Sequence, residues 1–175
     1  MPDRLFARLM SQLPSRLTPA RWRMLGAVVL GGVALWLLWW PTAEPARYEL
    51  LAGGHEVKDH RTGLVWRRCA EGQRWDGTHC AGEALLMPHL VAIAHAASQP
   101  GWRLPTMPEL HSLVEPERSD PALDAAVFPD TPLHWFWTST VTTSRLTHAW
   151  LVHFGEGQPN YALRMNHVHV RLVRE

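Results

Sequence analysis

Apolar positions follow two different regimes along this chain. Residues 24–40, Met-Leu-Gly-Ala-Val-Val-Leu-Gly-Gly-Val-Ala-Leu-Trp-Leu-Leu-Trp-Trp, form an uninterrupted apolar run without a charge. From residue 47 onward, apolar side chains instead alternate with polar ones or recur at helical spacing. At about 1.5 Å rise per residue the first run makes roughly 26 Å of helix, close to a hydrocarbon core of about 30 Å. Trp22 at one end and Trp36, Trp39 and Trp40 at the other carry the polar-tipped rings that settle at membrane interfaces. Arg21 and Arg23 are placed to snorkel, and Pro41 stops the helix. The pattern predicts a single transmembrane helix over 24–40 in contact with the lipid bilayer, then a short stiff linker, 41–46. A cleaved signal peptide is the alternative, although no Ala-x-Ala site follows Trp40.

Beyond the linker the periodicity predicts one α+β domain over 47–175. Residues 47–51 read as a short strand. Residues 56–59 and 64–68 read as a hairpin around His60-Arg61-Thr62-Gly63, with Gly63 at positive φ and Val57, Leu64 and Trp66 facing inward. A helix is expected over 88–97, with Pro88 in its first turn and Leu90, Ile93, Ala94 and Ala97 as its apolar stripe. Gln99-Pro100-Gly101 ends it. Thr106-Met107-Pro108-Glu109 is a capping box that opens a second helix burying Leu110, Leu113 and Val114. Residues 115–132 are rich in Pro and Asp and read as loop, with at most a turn of helix at 122–127. Strands are expected at 135–142, 148–154 and 167–173. Trp150, Val152 and Phe154 share one face, with Leu151 and His153 on the other. Val168, Val170 and Leu172 point to the core, and His167, His169 and Arg171 point away.

Charge adds direction to this picture. The 17 basic and 16 acidic side chains leave a formal net charge of +1, which excludes a clearly basic nucleic-acid binder. With 46% hydrophobic residues and 10 Trp the chain is not disordered. Lys58 is the only lysine and hence the sole Schiff-base candidate. Residues 1–23 hold Arg4, Arg8, Arg16, Arg21 and Arg23 against Asp3, whereas residues 41–175 hold 12 basic against 15 acidic groups. The positive-inside rule then makes residues 1–23 a basic cytoplasmic tail and places 47–175 in the periplasm of a bacterial inner-membrane, single-pass protein. On that side the two cysteines, Cys69 and Cys80, favour a disulfide. A metal pair with His79 and a redox couple are the rivals.

The ordered series Val57-x-Asp59-x-x-Thr62-Gly63-Leu64-x-Trp66-x-x-Cys69 and Gly72-x-x-Trp75-x-Gly77-x-x-Cys80 opens a longer pattern. It continues through Gly101-Trp102-Arg103-Leu104-Pro105-Thr106-x-x-Glu109-Leu110 and Phe128-Pro129-x-Thr131-Pro132. It closes through Trp135-Phe136-Trp137-Thr138-Ser139-Thr140, Ala149-Trp150-x-Val152-x-Phe154-x-x-Gly157 and Val170-Arg171-Leu172-Val173-Arg174. Over roughly residues 55–174 the chain resembles the Lcl C-terminal domain family, named for the tail domain of bacterial collagen-like adhesins. The resemblance implies a C-type-lectin-like fold shared with the formylglycine-generating-enzyme group, two helices packed on a small twisted antiparallel sheet. It also implies a surface or periplasmic module, which in the adhesins binds sulfated glycosaminoglycans. This chain has no collagen-like Gly-x-y repeat.

Candidate chemistry is sparse. All 11 His lie in residues 55–169. His167 and His169 project from one strand face about 6–7 Å apart by strand rise, with His134, His148 and His153 on neighbouring strands. A solvated polar face accounts for them, and no metal or other cofactor is assigned. Gln158-Pro159-Asn160 is similar to the sugar-selecting triplet of calcium-dependent lectins but lacks the further oxygen ligands that calcium needs. No base is placed beside Ser112, Ser139 or Ser144, so no catalytic residue is assigned. Recognition is left. The strands and loops over 135–143 and 155–171 are expected to form the ligand surface, with Trp135, Trp137, His153, Arg164, His167, His169 and Arg171 as its binding residues. These side chains combine cations, switchable cations and aromatic platforms suited to an anionic partner, with binding expected to strengthen as pH falls through about 6.5. The sequence thus predicts a membrane-anchored periplasmic binding or scaffold module for an anionic glycan or an envelope protein. An adaptor subunit of a multi-protein envelope machine and an enzyme of unassigned reaction are the rivals.

Overall fold

The computed structural model describes residues 46–175. The expected basic tail, the transmembrane helix over 24–40 and all of the linker except Ala46 lie outside the described residues. Among the described residues no helix is long and apolar enough to cross a membrane. The longer of the two has nine residues, about 14 Å against a hydrocarbon core of about 30 Å. The expectation of a single-pass inner-membrane protein with a periplasmic domain is corrected to that extent: the described residues give it no support.

The domain begins with two hairpins. Strand β1 (Tyr48–Leu51) pairs antiparallel with β2 (Glu56–Asp59), and β2 with β3 (Val65–Arg67). The second turn closes as expected at Gly63, whose φ is 76°. Its N–H donates to Asp59 O at 2.8 Å, and the Asp59 carboxylate accepts from the Arg61 amide at 2.9 Å and the Arg47 guanidinium at 2.8 Å. Burial alone would push this fully buried carboxyl up, but Arg47 and Arg61 together hold it below the usual carboxylate range. The last strand, β11 (Val173–Arg174), pairs with β3 and completes a four-stranded sheet, β1-β2-β3-β11.

A two-stranded ribbon, β4 (Arg74–Trp75) and β5 (Cys80–Ala81), follows. The Cys69–Cys80 disulfide ties β5 of this ribbon to the segment after β3, with Cα atoms 5.5 Å apart. Asp76 accepts from the amides of Thr78 and His79, a local turn of the kind Asp favours. The remaining strands, β6 (Leu86–Met87), β7 (Trp135–Val141), β8 (His148–His153), β9 (Pro159–Leu163) and β10 (Val168–His169), form a five-stranded sheet ordered β6-β10-β7-β8-β9. The β10–β7 pairing is parallel.

Side-chain alternation on this sheet feeds two cores. Phe136, Val152 and Phe154 join Trp66, Leu110, Leu113, Leu123 and Phe128 on one side. Trp137, Ala149 and Leu151 join Ala92, Ala96, Leu104 and Leu172 on the other. The sheet is therefore covered on both faces, the expected separation of Val152 and Phe154 from Leu151 included.

Helix α1 (His89–Ala97) and helix α2 (Met107–His111) are the only α-helices among the described residues. The capping box at α2 is present, with Thr106 and Glu109 bonded reciprocally. Helix α1 departs from expectation. It buries His89, Ala92 and Ala96 and leaves Leu90, Val91 and Ile93 exposed. Alanines at positions 92 and 96 let the helix approach the bulky Trp137 closely, and His89 on the same face packs edge-on against that ring, a fit that the larger side chains of the expected stripe would prevent.

The fold class is corrected as well. Strand accounts for 31% of the described residues and helix for 13%. This is a mostly β structure with two short helices, not a C-type-lectin-like α+β domain with two helices packed on one small antiparallel sheet. Segment 167–173 is not one strand. It splits into β10 in one sheet and β11 in the other, and the chain between them is buried on both sides, Arg171 included. Residues 115–132 form the expected loop, and within 122–127 it closes a single turn in which the Val127 and Phe128 amides donate to Asp124 O at 3.1 and 2.8 Å.

Candidate functional site

The seven residues expected to bind ligand do not form one surface. Trp137 is fully buried, its indole N–H donating to Met87 O at 2.8 Å. Arg171 is also fully buried. Its guanidinium donates to Arg67 O at 2.9 Å, to Arg68 O and to Thr131 Oγ1 at 2.6 Å, and it lies over the ring of Phe128. Burial pushes its pKa down to about 9. Both side chains hold the fold together and reach no ligand.

Trp135, His153 and His169 meet in a half-buried aromatic group. Trp135 packs edge-on against His153 at 4.7 Å. His134 lies 6.0 Å from His153 and 5.9 Å from His169. His169 Nδ1 lies 3.2 Å from the Leu85 carbonyl, and its pKa is lowered, chiefly by burial. His167 is exposed in the turn before β10, apart from this group. Among the described residues no set of three His, Cys, Asp or Glu is arranged to hold a metal ion.

Arg164 stands elsewhere, at the end of β9. Its Nε donates to His89 Nδ1 at 3.1 Å, its Nη1 donates to Leu146 O at 3.3 Å, and its carbonyl accepts the His89 amide at 2.9 Å. A guanidinium can only donate, so His89 Nδ1 is the acceptor and the ring proton sits on Nε2, which donates to Thr138 O at 2.8 Å. Burial, with the nearby Arg164 charge adding to it, lowers the His89 pKa and keeps the ring neutral. His89 and His169 therefore take up a proton less readily than ordinary histidines, chiefly because they are buried. His89 was not among the expected site residues. Its signal in the sequence was its place on the small-residue face with Ala92 and Ala96, at 3- and 4-residue spacing.

Around Arg164 lies an apolar hollow of about 580 Å³ lined by Pro88, Leu90, Val91, Leu146, Leu163 and Met165. Its apolar side chains face solvent, Leu90 at 63%, Leu146 at 72% and Met165 at 73% exposure. Three separate segments supply them: the start of α1, the β7–β8 loop and the end of β9 with the turn that follows. A contiguous exposed patch of large aliphatic residues is a property of binding surfaces rather than of ordinary protein exterior.

A second, polar cleft of about 430 Å³ lies beside the disulfide, lined in part by His55, Arg67, Glu71, Arg74, Trp75 and Gln99. Its floor is already wired. Glu71 accepts from Gln99 at 3.0 Å and contacts His95 Nε2 at 2.6 Å, and Arg67 donates to Gln99 at 3.1 Å while stacking on Trp102.

No curated protein and no solved structure matches the chain. A family model does, that of the Lcl C-terminal domain, over residues 55–174. That match takes in the buried Trp66, Trp137 and Arg171, the disulfide, the Thr106–Glu109 helix cap and β9 with the Arg164 that follows it, and on it the chain belongs to the Lcl C-terminal domain family.

Proposed function

We propose that this protein is a binding module that recognises a protein partner through the apolar hollow centred on Arg164. One observation carries the reading: Leu90, Val91, Leu146, Leu163 and Met165 come from three segments and leave large aliphatic area open to water. Exposed apolar area of this kind costs solubility unless a partner covers it. The hollow is open to solvent, which suits a partner's protruding side chains better than an enclosed small molecule. The role is recognition, without a catalytic step.

Site-specific photocrosslinking in cells tests this. A benzoylphenylalanine placed at Leu90 or Leu146 of the full chain is expected to give a discrete adduct with one partner, and the same group at Thr62 none. Adducts of equal yield from all three positions, or none from the hollow, overturn the reading.

A second reading, recognition of an anionic glycan, draws support from the polar cleft, where exposed Arg74 joins Arg67, His55 and the Trp75 ring. Arg74→Gln is expected to elute from a heparin matrix at lower salt than the parent chain. Unchanged elution removes this reading.

A further inference from the structure

Resting on the protein-binding reading above, we infer that the partner of the hollow presents a carboxylate flanked by large apolar side chains, and that Arg164 selects it. The described residues carry more acidic than basic groups overall. The segments that bound the hollow reverse that balance. Residues 89–97, 142–147 and 161–167 contain Arg145 and Arg164 and no Asp or Glu.

Among the described residues Arg164 makes no ion pair. Its hydrogen bonds go to the neutral ring of His89 and the carbonyl of Leu146. Arg145, on the same loop as Leu146, lies over the ring of Tyr161 and is likewise without a carboxylate among the described residues. A cation set among Leu90, Leu163 and Met165 is partly desolvated, so a partner's carboxylate gains more from pairing there than with a fully exposed arginine.

The tie to His89 gives this selection its geometry. With Nε and one hydrogen of Nη1 bonded to the protein, the guanidinium plane is held, Nη2 is left for a partner, and little side-chain entropy remains to be lost on binding. A partner that is only apolar would fill the hollow and leave the guanidinium covered and unpaired, a penalty that works against it. His89 is here a positioning residue. It lies beneath Arg164, braced by Thr138 O and packed edge-on to Trp137 at 5.2 Å.

The test is selection of a random 12-residue peptide library on the full-length chain, in parallel with Arg164→Gln, Arg164→Glu and Leu146→Ser, each first checked for an unchanged melting profile. The parent chain is expected to enrich peptides with Asp or Glu beside Leu, Ile, Met or Phe. Arg164→Gln should weaken the best of them at least tenfold, and Arg164→Glu should turn enrichment toward Lys and Arg. Should Arg164→Glu fail to fold, Arg164→Lys takes its place, expected to keep the acidic preference with weaker binding. Peptides that are apolar without an acid, lost in Leu146→Ser but untouched by Arg164→Gln, overturn the carboxylate inference and leave the hollow as the protein site. Peptides indifferent to Leu146→Ser, or none enriched at all, overturn the hollow itself. Dodecanoate and dodecanol serve as amphiphile probes, and saturable dodecanoate binding without peptide enrichment assigns the hollow to an amphiphile and overturns both.

Discussion

Arg103 and Glu109 form a two-pronged ion pair across the start of helix α2, with Nη1 to Oε2 and Nη2 to Oε1 both at 2.8 Å. The same carboxylate accepts the Thr106 amide at 2.7 Å, so one side chain caps the helix and anchors the extended segment that precedes it. Arg103 in turn bridges by its backbone to Val173 of β11. The Gly-Trp-Arg-Leu-Pro-Thr-x-x-Glu-Leu string is thus a joint between α2 and the four-stranded sheet, and its polar residues serve folding.

The acid limb of stability follows from that pair. Hydrogen bonds from Arg103 hold the Glu109 pKa down to about 2. Its contribution is whole above the ordinary value of 4.5 and is lost as pH falls from there toward 2. Glu109→Gln is expected to lose about 1–2 kcal/mol at pH 7, at the lower end for charged hydrogen bonds because Arg103 is partly exposed. Urea unfolding at pH 7 and pH 3 checks this, and the deficit should shrink at pH 3.

His89 works in the opposite sense to a paired histidine. Its pKa in the fold lies below 6.5, so the unfolded chain takes up the proton first. Stability therefore declines as pH drops below about 6.5, and His169 adds a decline of the same sign. Glutamine at position 89 offers an amide donor to Thr138 O and a carbonyl acceptor to Arg164 without titrating. Unfolding free energies between pH 7.5 and 5.0 are expected to fall less steeply in His89→Gln than in the parent chain.

Removing the disulfide has a defined cost. Cys69→Ser with Cys80→Ser opens a short loop, for which chain entropy predicts a loss of about 2–3 kcal/mol. The ribbon keeps other ties, among them the Cys80 amide to Asp130 Oδ2 at 2.8 Å and the Arg68 guanidinium 3.7 Å over the Trp75 ring. The denaturation midpoint of the parent chain should move to that of the double mutant when reductant is added, and should stay put in the mutant itself.

Arg171→Leu strips three hydrogen bonds from a fully buried site and leaves the carbonyls of Arg67 and Arg68 unpaired. A loss of about 2–4 kcal/mol is expected from the stranded acceptors and the altered packing, read by urea unfolding. Stability equal to the parent chain would show that the guanidinium contributes nothing net.

Local rules made part of this structure readable in advance. The β2–β3 turn at Gly63, the α2 capping box and the strands at 135–141 and 148–153 depend on neighbours within a few residues, and each stands where periodicity and turn chemistry put it. Strand β9 was missed because Pro159 and Asn160 read as turn residues. They are tolerated at the outer edge of the sheet, where the Tyr161 amide is satisfied by Asn160 Oδ1 at 2.8 Å. The site was legible only in fragments. Of the residues read as binding, Arg164 borders the apolar hollow, whereas Trp137 and Arg171 are buried inside the fold. Alternation separates the two faces of a strand but cannot reveal that a second sheet or a helix covers the polar one.

By itself, the order of residues determined which segments turn, which are capped and which share a face, because those outcomes rest on backbone sterics and hydrogen bonds between near neighbours. Only tertiary structure decided that α1 would bury alanines and expose leucines, that 167–173 would divide between two sheets, and that Arg164 would settle on a neutral His89 75 residues earlier in the chain. Those outcomes depend on how surfaces distant in sequence fit together, and close packing against Trp137 outweighed the burial that larger side chains on α1 would have brought.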